Sequence, residues 1–282
     1  MTRVAVVGPG AIGGAVAAMA QRAGAELVLC GRTPLERLVV GEEVVPGPVL
    51  TDPAAVPWRA DVVLLAVKAH QTEAASGFLR ALAGPETVVA VLQNGVEQRD
   101  LVAPFVAGAK VLPAVVWLAT EVTAPGHVRV VTPPRFVVPR EPGAEAVAAL
   151  LEGVEIVDDF TTQAWRKLAV NAVAGLMALT GRPAVMFQSP EARQLGRALA
   201  AETLVVARAE GADVTDAVAD EIIEFITGLP EDAGSSILAD RQAGRPLEWE
   251  ARNGVVARRG RIHGVPTPIS DVIVPLLAAA SG

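Results

Sequence analysis

Three glycines near the start of the chain have the spacing of a phosphate-binding turn. Gly8, Gly10 and Gly13 follow an apolar run at residues 4–7 and precede an Ala-rich segment at residues 15–23. A strand, a glycine turn and a helix in this order are typical of a dinucleotide-binding fingerprint. The whole turn is therefore predicted to bind a dinucleotide, and it consists of Gly8, Pro9, Gly10, Ala11, Ile12 and Gly13. The alternative is a structural turn in an α/β protein that binds no ligand.

The end of the second predicted strand indicates which dinucleotide is bound. Glu26 to Cys30 reads as a strand and runs into Gly31 and Arg32, and the next carboxylate is Glu36. An NAD site usually places Asp or Glu at the end of this strand to accept from the ribose 2′-OH. Arg32 instead offers a planar donor fork that suits a phosphate. The predicted cofactor is NADP(H); the alternative is that Arg32 is one of many solvated arginines.

Lysine is scarce, and this makes each lysine a candidate for proton chemistry. Lys68, Lys110 and Lys167 are the only three, while arginine fills the other cationic positions. Only an amine titrates near neutrality, so arginine cannot replace a lysine that must release a proton. Lys167 and Asn171 are four residues apart and share one face of a predicted helix. The chain has no Tyr, which excludes dehydrogenase sites of the Tyr-x-x-x-Lys type.

Two further polar clusters follow predicted strands of the same sheet. Residues 61–67 and 87–92 read as buried strands, and they end at Lys68 and at Asn94. The carboxyl ends of parallel strands meet at one edge of a sheet, where open α/β sheets bind their ligands. We therefore expect Lys68 and Asn94 to lie near the glycine turn.

The pattern changes from strands to helices in the middle of the chain. A last strand is predicted at residues 154–157, and Asp158 and Asp159 mark a boundary, after which apolar residues recur at helical spacing. The predicted fold class is α/β, with an N-terminal Rossmann-type doubly wound sheet and a C-terminal all-helical domain. The predicted domains are residues 1–159, which bind NADP, and residues 160–282, which carry the substrate and catalytic groups.

Composition excludes several other classes of protein. The net charge of −7 argues against a nucleic-acid partner, and no apolar run is long enough to span a membrane. The N-terminus leads directly into a strand, so no signal peptide is expected, and the single cysteine, Cys30, lies in a predicted buried strand. These features favour the cytoplasm. His70, His127 and His263 do not cluster, so no metal site is expected, and the apolar helical domain favours a homodimer.

Six motifs in the chain, taken together, resemble the ketopantoate reductase (2-dehydropantoate 2-reductase) family. They are Gly8-x-Gly10-x-x-Gly13, Val67-Lys68-Ala69, Gln93-Asn94-Gly95, Trp165-Arg166-Lys167-Leu168-x-x-Asn171, Ser235-Ser236-x-Leu238 and Glu248-x-Glu250-x-x-Asn253-Gly254. The resemblance spans nearly the whole chain and implies NADPH-dependent reduction of a 2-oxo acid, ketopantoate to pantoate, in pantothenate biosynthesis. It also implies that the substrate binds in a cleft between the two domains.

The resemblance also implies a role for individual residues. Lys167 matches the catalytic lysine and Glu248 an acid between cofactor and substrate; Arg32 and Lys68 match cofactor contacts, Asn171 and Ser236 substrate contacts, and Asn94 a contact with both. The chemistry is consistent with this, because hydride arriving at a carbonyl carbon builds negative charge on oxygen, which an ammonium stabilises and protonates. A nearby carboxylate such as Glu248 is expected to favour the charged form of the lysine.

One departure from the family pattern concerns the substrate. The family usually has a second asparagine four residues after the first, where this chain has Gly175, and a further asparagine is replaced in the Ala184-Val185-Met186 region. This predicts a smaller and more apolar pocket. One alternative is therefore a reductase of the same family that acts on a different 2-oxo acid or carbonyl compound. An alternative of another class is a non-catalytic NADP-binding regulator.

For single residues, simpler explanations also remain. Lys167 would then be a surface lysine on an amphipathic helix. Ser235 and Ser236 would serve as a helix cap. Glu248, which follows Pro246, would be an ordinary first-turn acid.

Overall fold

The computed structural model describes residues 1–281 and divides into two compact units, Met1–Phe160 and Thr161–Gly282. The first unit holds all the strands. They are β1 (Arg3–Val7), β2 (Glu26–Cys30), β3 (Arg37–Val40), β4 (Glu43–Pro46), β5 (Val49–Leu50), β6 (Val62–Leu65), β7 (Val88–Val91), β8 (Lys110–Pro113), β9 (Val115–Trp117), β10 (Thr120–Ala124), β11 (His127–Val130), β12 (Arg135–Pro139) and β13 (Val154–Val157).

The main sheet is parallel throughout and has the strand order β5-β2-β1-β6-β7-β8. The chain runs from β1 outward to β2 and β5, then returns to β6 on the other side of β1. The direction of winding therefore changes between β1 and β6. In doubly wound sheets a ligand binds at the carboxyl ends of the strands at this switch point.

Helices cover both faces of the main sheet, which explains why its strands are apolar at nearly every position after the first residue. In β1, Val4 and Val6 join one buried cluster while Ala5 and Val7 join the other. The α-helices of the unit are α1 (Ala11–Arg22), α2 (Ser76–Leu82), α3 (Gln98–Val102) and α4 (Ala144–Ala148), and short 3-10 helices lie at Pro53–Ala55, Ala69–Gln71 and Ala103–Phe105. Two smaller sheets, β10-β11-β3-β4 and β13-β12-β9, complete the unit.

The second unit contains only helices among its described residues. They are α5 (Phe160–Thr180), α6 (Pro190–Ala209), α7 (Ala217–Thr227), α8 (Ser236–Gln242), α9 (Val255–His263) and α10 (Pro268–Ala280), with a 3-10 helix at Ala184–Gln188 and a π-helical segment at Glu250–Gly254. Phe160 belongs to the first unit by contacts and is the first residue of α5. The Rossmann-type sheet followed by a helical domain confirms the predicted fold class.

Side chains define the ends of several of these helices. Ser189 accepts a hydrogen bond from the backbone N–H of Ala192 and so caps α6. The buried carboxylate of Glu202 accepts hydrogen bonds from the N–H groups of Ile269 and Ser270, both at 2.8 Å, at the start of α10. Orphan N–H groups of a helix start are satisfied in this way.

The predicted element boundaries differ from the structure at several helix ends. Helix α1 begins at Ala11 rather than Ala15, because Gly13 and Gly14 continue the helix despite their low propensity. The sequence also predicts helices at residues 72–83 and 232–243, whereas α2 begins at Ser76, after a turn at residues 72–75, and α8 begins at Ser236. No helix of residues 1–281 combines the length and apolarity needed to cross a bilayer.

Candidate active site

The first and third glycines of the turn after β1 are required by the packing around them. Gly8 has φ +90°, and a Cβ there would lie 2.6 Å from Cγ1 of Val67. A Cβ on Gly13 would overlap the carbonyl oxygen of Gly8. Neither position accepts a side chain without a shift of the backbone, so these two glycines bring α1 against the turn and the turn against the end of β6.

The second glycine is not required by packing. A Cβ on Gly10 would meet no atom within 4 Å. Helix α1 starts beside it with no side-chain cap and no acidic residue in its first turn. Such a helix start leaves N–H groups and the positive end of the helix dipole available to an anion. The open space at Gly10 and the uncapped helix together fit a pyrophosphate.

The end of β2 lies against the same turn. The N–H of Gly8 donates to the carbonyl oxygen of Cys30 at 2.8 Å, and a Cβ on Gly31 would lie 3.0 Å from Cδ of Pro9. Arg32 follows directly and is exposed. Its guanidinium therefore starts from a backbone position next to the turn, as a contact with a ribose phosphate requires.

Lys68 and Asn94 follow the neighbouring strands β6 and β7, and both are half-buried. A buried amide ties these two strand ends together, because Gln93 Nε2 donates to the carbonyl oxygen of Val67 at 3.0 Å and to Thr72 Oγ1 at 2.9 Å. The structure thus brings the glycine turn, Lys68 and Asn94 to the carboxyl edge of the main sheet.

In the second unit, the side chains of the lysine motif on α5 lie in three different environments: the core, the surface and a partly buried position. Trp165 is buried in the core, and Arg166 forms a surface ion pair with Glu221 at 2.6 Å. Lys167 is partly buried, and Asn171, one turn later, is buried. Lys167 is therefore not an exposed lysine on the outer face of an amphipathic helix.

The environment of Lys167 favours the neutral amine. Burial and, to a smaller extent, the positive charge of Arg252 together lower the pKa of Lys167 to about 7 from an ordinary value of 10.5. Glu248 was expected to favour the charged form of Lys167, but its charge is not among the causes of this pKa shift. Its negative charge instead raises the pKa of Arg252, whose pKa is lowered mainly by burial.

The guanidinium of Arg252 connects two of the predicted substrate contacts. Arg252 Nη2 donates to Asn171 Oδ1 at 2.9 Å, and Nη1 donates to Ser236 Oγ at 3.1 Å. Ser235 caps α8 by accepting from the N–H of Leu238. The two neighbouring serines therefore have different partners, because one caps the helix and the other contacts the arginine.

Glu248 is 6% exposed and lies just before the turn that leads into the π-helical segment Glu250–Gly254. A carboxylate this deeply buried is not an ordinary solvated first-turn acid. The structure thus collects Lys167, Asn171, Ser236 and Glu248 around Arg252 within one unit. Among residues 1–281, no three His, Cys, Asp or Glu side chains are grouped so that they would hold a metal ion.

Comparison with known proteins gives the family. A family model described as "Ketopantoate reductase PanE/ApbA" matches residues 4–143, and one described as "Ketopantoate reductase PanE/ApbA C terminal" matches residues 159–281. The chain belongs to the ketopantoate reductase family. This confirms the resemblance drawn from the sequence motifs.

Individual ketopantoate reductases are similar to this chain over nearly its full length. A 2-dehydropantoate 2-reductase of Mycobacterium tuberculosis is 51% identical, with 99% of this chain and 98% of the relative covered. A 2-dehydropantoate 2-reductase of Caulobacter vibrioides is 41% identical, with both chains covered completely. A solved structure of a dimeric ketopantoate reductase from Staphylococcus aureus has a TM-score of 0.88 and 27% identity, and the match covers 99% of this chain and 98% of that one.

Gly175 is the position at which this chain departs from the family pattern. The space that a side chain would occupy there is taken by the side chain of Asn253. A Cβ on Gly175 would lie 2.7 Å from Oδ1 of Asn253, whose Nδ2 donates to the carbonyl oxygen of Ala172 at 3.0 Å. Asn253 is fully buried, as expected of a structural residue. The sequence predicted a more apolar pocket here, whereas the structure places a buried guanidinium against Asn171.

Arg252 is the site residue that sequence reasoning missed. It lies inside the Glu248 motif, at a position that the resemblance leaves unspecified. Two signals mark it in retrospect: it follows Glu248 by four residues, and it belongs to a π-helical segment, a feature that occurs often at functional sites. Only the first of these can be read from a sequence.

Proposed function

We propose that the protein reduces ketopantoate to pantoate with NADPH as the reductant. The observation that carries this is the amine of Lys167, which has a pKa of about 7 and lies on the same helix as Asn171. A general acid works best when its pKa is near the operating pH. An arginine in its place would hold the charge without releasing a proton.

The first unit is assigned to the cofactor. Its pyrophosphate is bound by the turn Gly8–Gly13, with Gly10 as the point of close approach, and Arg32 and Lys68 bind the phosphate of the adenosine ribose. Asn94 contacts both cofactor and substrate. When bound, the cofactor supplies the hydride. The fit rests on the open space at Gly10, on the uncapped start of α1 and on the absence of an acid in its first turn.

The second unit is assigned to the substrate and the proton. Lys167 Nζ, as the ammonium, donates a hydrogen bond to the 2-oxo oxygen and stabilises the negative charge that develops there. As the carbonyl carbon gains a hydride, the proton moves from Nζ to the oxygen, and the neutral amine regains a proton from water. Asn171 and Ser236 orient the substrate. Glu248 balances the positive charge of this cluster through Arg252.

The decisive experiment is the variant Lys167→Ala. NADPH oxidation with ketopantoate is expected to fall at least ~100-fold, the usual contribution of a positioned general acid, while NADPH affinity is retained. Lys110→Ala is the matched control, since Lys110 only forms a surface ion pair with Glu86. Near-normal turnover of Lys167→Ala would refute its role as the acid.

The cofactor and substrate assignments have tests of their own. NADPH is expected to bind more tightly than NADH, and Arg32→Ala is expected to reduce the difference; equal affinities in the wild type would contradict the role of Arg32. In a panel of 2-oxo acids, ketopantoate is expected to have the highest kcat/KM. Wild-type protein that binds NADPH but oxidises it with no member of the panel would be a regulator rather than a reductase.

A homodimer is part of the proposal. The Staphylococcus aureus relative is described as dimeric. In this chain, Val272 and Leu276 lie four residues apart on α10 and are 63% and 52% exposed, while Ile273 and Leu277 of the same helix are buried. A helix that is apolar on its outer face as well as its inner face is suited to an interface between copies of the chain.

A further inference from the structure

Arg252 is a buried cation whose hydrogen bonds go to neutral groups. Its residue is only 3% exposed, and the acceptors of its terminal nitrogens are an amide oxygen, on Asn171, and a hydroxyl, on Ser236. Its Nε is buried and has no hydrogen-bond partner within residues 1–281. A buried N–H donor without an acceptor is costly, so the guanidinium retains the capacity to bind an anion.

Charged groups of both signs act on Arg252. The negative charges of Glu248 and Asp240 raise its pKa, and Asp240 also forms an ion pair with the more exposed Arg245 at 2.9 Å. Lys167 lies close enough to Arg252 for the guanidinium to disfavour its ammonium form. Two cations that disfavour each other in a buried site are both stabilised when a carboxylate binds between or beside them.

Arg252 is also positioned by unusual backbone. It lies in the π-helical segment Glu250–Gly254, where the wider turn changes the direction in which side chains leave the helix. The next residue, Asn253, points against Gly175, while Arg252 reaches Asn171 on the same helix α5. The guanidinium therefore contacts α5 at Asn171, the residue one helical turn after Lys167, and its two hydrogen bonds fix its orientation.

We propose that Arg252 is a substrate-binding residue that anchors the carboxylate of the 2-oxo acid and so selects ionised substrates over neutral carbonyl compounds. A planar guanidinium matches the two oxygens of a carboxylate. A 2-oxo acid carries its carboxylate on the carbon next to the carbonyl. One substrate molecule can therefore contact both cations, with its carboxylate at Arg252 and its oxo oxygen at Lys167. This inference rests on the proposed function, since it concerns the same substrate.

The test compares an acid with its neutral lactone. Binding of pantoate and of pantoyl lactone to the NADP⁺-loaded protein is measured by calorimetry for the wild type and for Arg252→Met. The wild type is expected to prefer the acid, and the variant to lose about 100-fold in affinity for the acid with little change for the lactone, as expected when one partner of a buried charge pair is removed. Arg197→Met, which removes an exposed cation paired with Asp220, is the control and keeps the wild-type preference.

A second variant covers the case in which Arg252→Met does not fold, as judged by its thermal unfolding. Arg252→Gln keeps a hydrogen-bond donor toward Asn171 and Ser236 but no charge, and the affinities for acid and lactone are again expected to converge. Affinities that stay as far apart as in the wild type, or that fall equally for both ligands, would show that Arg252 only supports its neighbours and would overturn the proposal.

The same measurements separate this inference from the proposed function. Wild-type protein that neither reduces ketopantoate nor binds pantoate would refute the proposed function. Wild-type protein that does both, together with an Arg252→Gln variant that keeps the preference for the acid, would refute the role of Arg252 alone.

Discussion

At the scale of single residues, the proposed chemistry depends on the amine of Lys167, whose pKa lies near neutrality. Burial and Arg252 both act against the ammonium form of Lys167, and together they bring its pKa to about 7. A lysine at its ordinary pKa would hold the proton too tightly to transfer it readily near pH 7. Burying an ionisable group costs folding free energy, and groups with strongly shifted pKa values cluster at functional sites.

The pKa of Lys167 predicts the pH dependence of reduction. Only the ammonium form donates a proton, so kcat/KM for ketopantoate is expected to be constant below pH 7 and to fall as the pH rises above it, approaching tenfold per unit. Pantoate oxidation, which needs the neutral amine, should show the opposite profile: its rate is expected to rise with pH, approaching tenfold per unit, below pH 7 and to level off above it. Because Arg252 lowers the pKa of the lysine, Arg252→Gln should move the midpoint upward. Steady-state rates between pH 5.5 and 9.5 would measure both, and a profile that is flat across pH 7 would exclude Lys167 as the acid.

The sequence identified the candidate site residues that are marked by their rarity or by a motif, and it did not identify the one that is marked only by its packing. Lys167 stood out because lysine is rare in this chain, and Asn171 and Ser236 were found through motifs. Arg252 was missed because arginine is abundant in this chain, and a position four residues after Glu248 does not by itself distinguish a buried arginine from a solvated one. Its burial and its two partners, one of them on a distant helix, are properties of tertiary packing alone.

At the scale of elements, the turn between β1 and α1 contains two glycines that packing requires and one, Gly10, that packing does not require. Gly13→Ala is expected to lower the melting temperature by several degrees, because its Cβ would overlap the carbonyl oxygen of Gly8 and overpacking costs about 1–3 kcal/mol. Gly10→Ala is expected to change the melting temperature little, since a Cβ there meets no atom within 4 Å, and yet to weaken NADPH binding at least ~10-fold.

Thermal unfolding without ligand and NADPH titration would measure the two effects separately. Gly244→Ala serves as a control for Gly10→Ala, because Gly244 also has open space around it and lies in the second unit; its positive φ makes a small loss of stability expected there. If Gly10→Ala binds NADPH as tightly as the wild type, the turn is not the site of pyrophosphate binding.

The elements themselves were predictable where one local pattern dominates. Strands β2 and β13 begin and end at the predicted residues, because each is a short, mostly apolar run whose length is typical of a strand rather than a helix. The start of α1 was placed too late, since close packing overrides the low helix propensity of glycine. The π-helical segment was not foreseen, because its shift in hydrogen bonding depends on packing against other helices rather than on residue type.

At the scale of the whole molecule, the two units position their polar side chains by different means. The first unit is a parallel sheet covered on both faces, which fixes the strand ends that carry the glycine turn, Lys68 and Asn94. The second is a set of helices in which Arg252 links α8 to α5. The sequence indicated this division because short apolar runs, typical of strands buried on both faces, give way after residue 160 to apolar residues at helical spacing.

The proposed homodimer gives a prediction at this scale. The wild type is expected to have twice the monomer mass by light scattering, and the double variant Val272→Glu with Leu276→Glu is expected to shift it to the monomer, because two charges would be buried in an apolar contact. Val122→Glu is the matched control, since Val122 is 57% exposed on β10 in the first unit. A wild-type monomer at tens of micromolar would rule out the dimer, and a double variant that stays dimeric would place the interface elsewhere.

The single cysteine offers a practical opportunity. Cys30 is fully buried at the end of β2, and burial raises the pKa of its thiol to about 12, so it is almost wholly protonated under ordinary conditions. A protonated, inaccessible thiol does not react with maleimides or disulfide reagents. A cysteine introduced at any exposed position would therefore be the sole reactive handle, and fluorophores or spin labels can be attached there without first deleting the native sulfur.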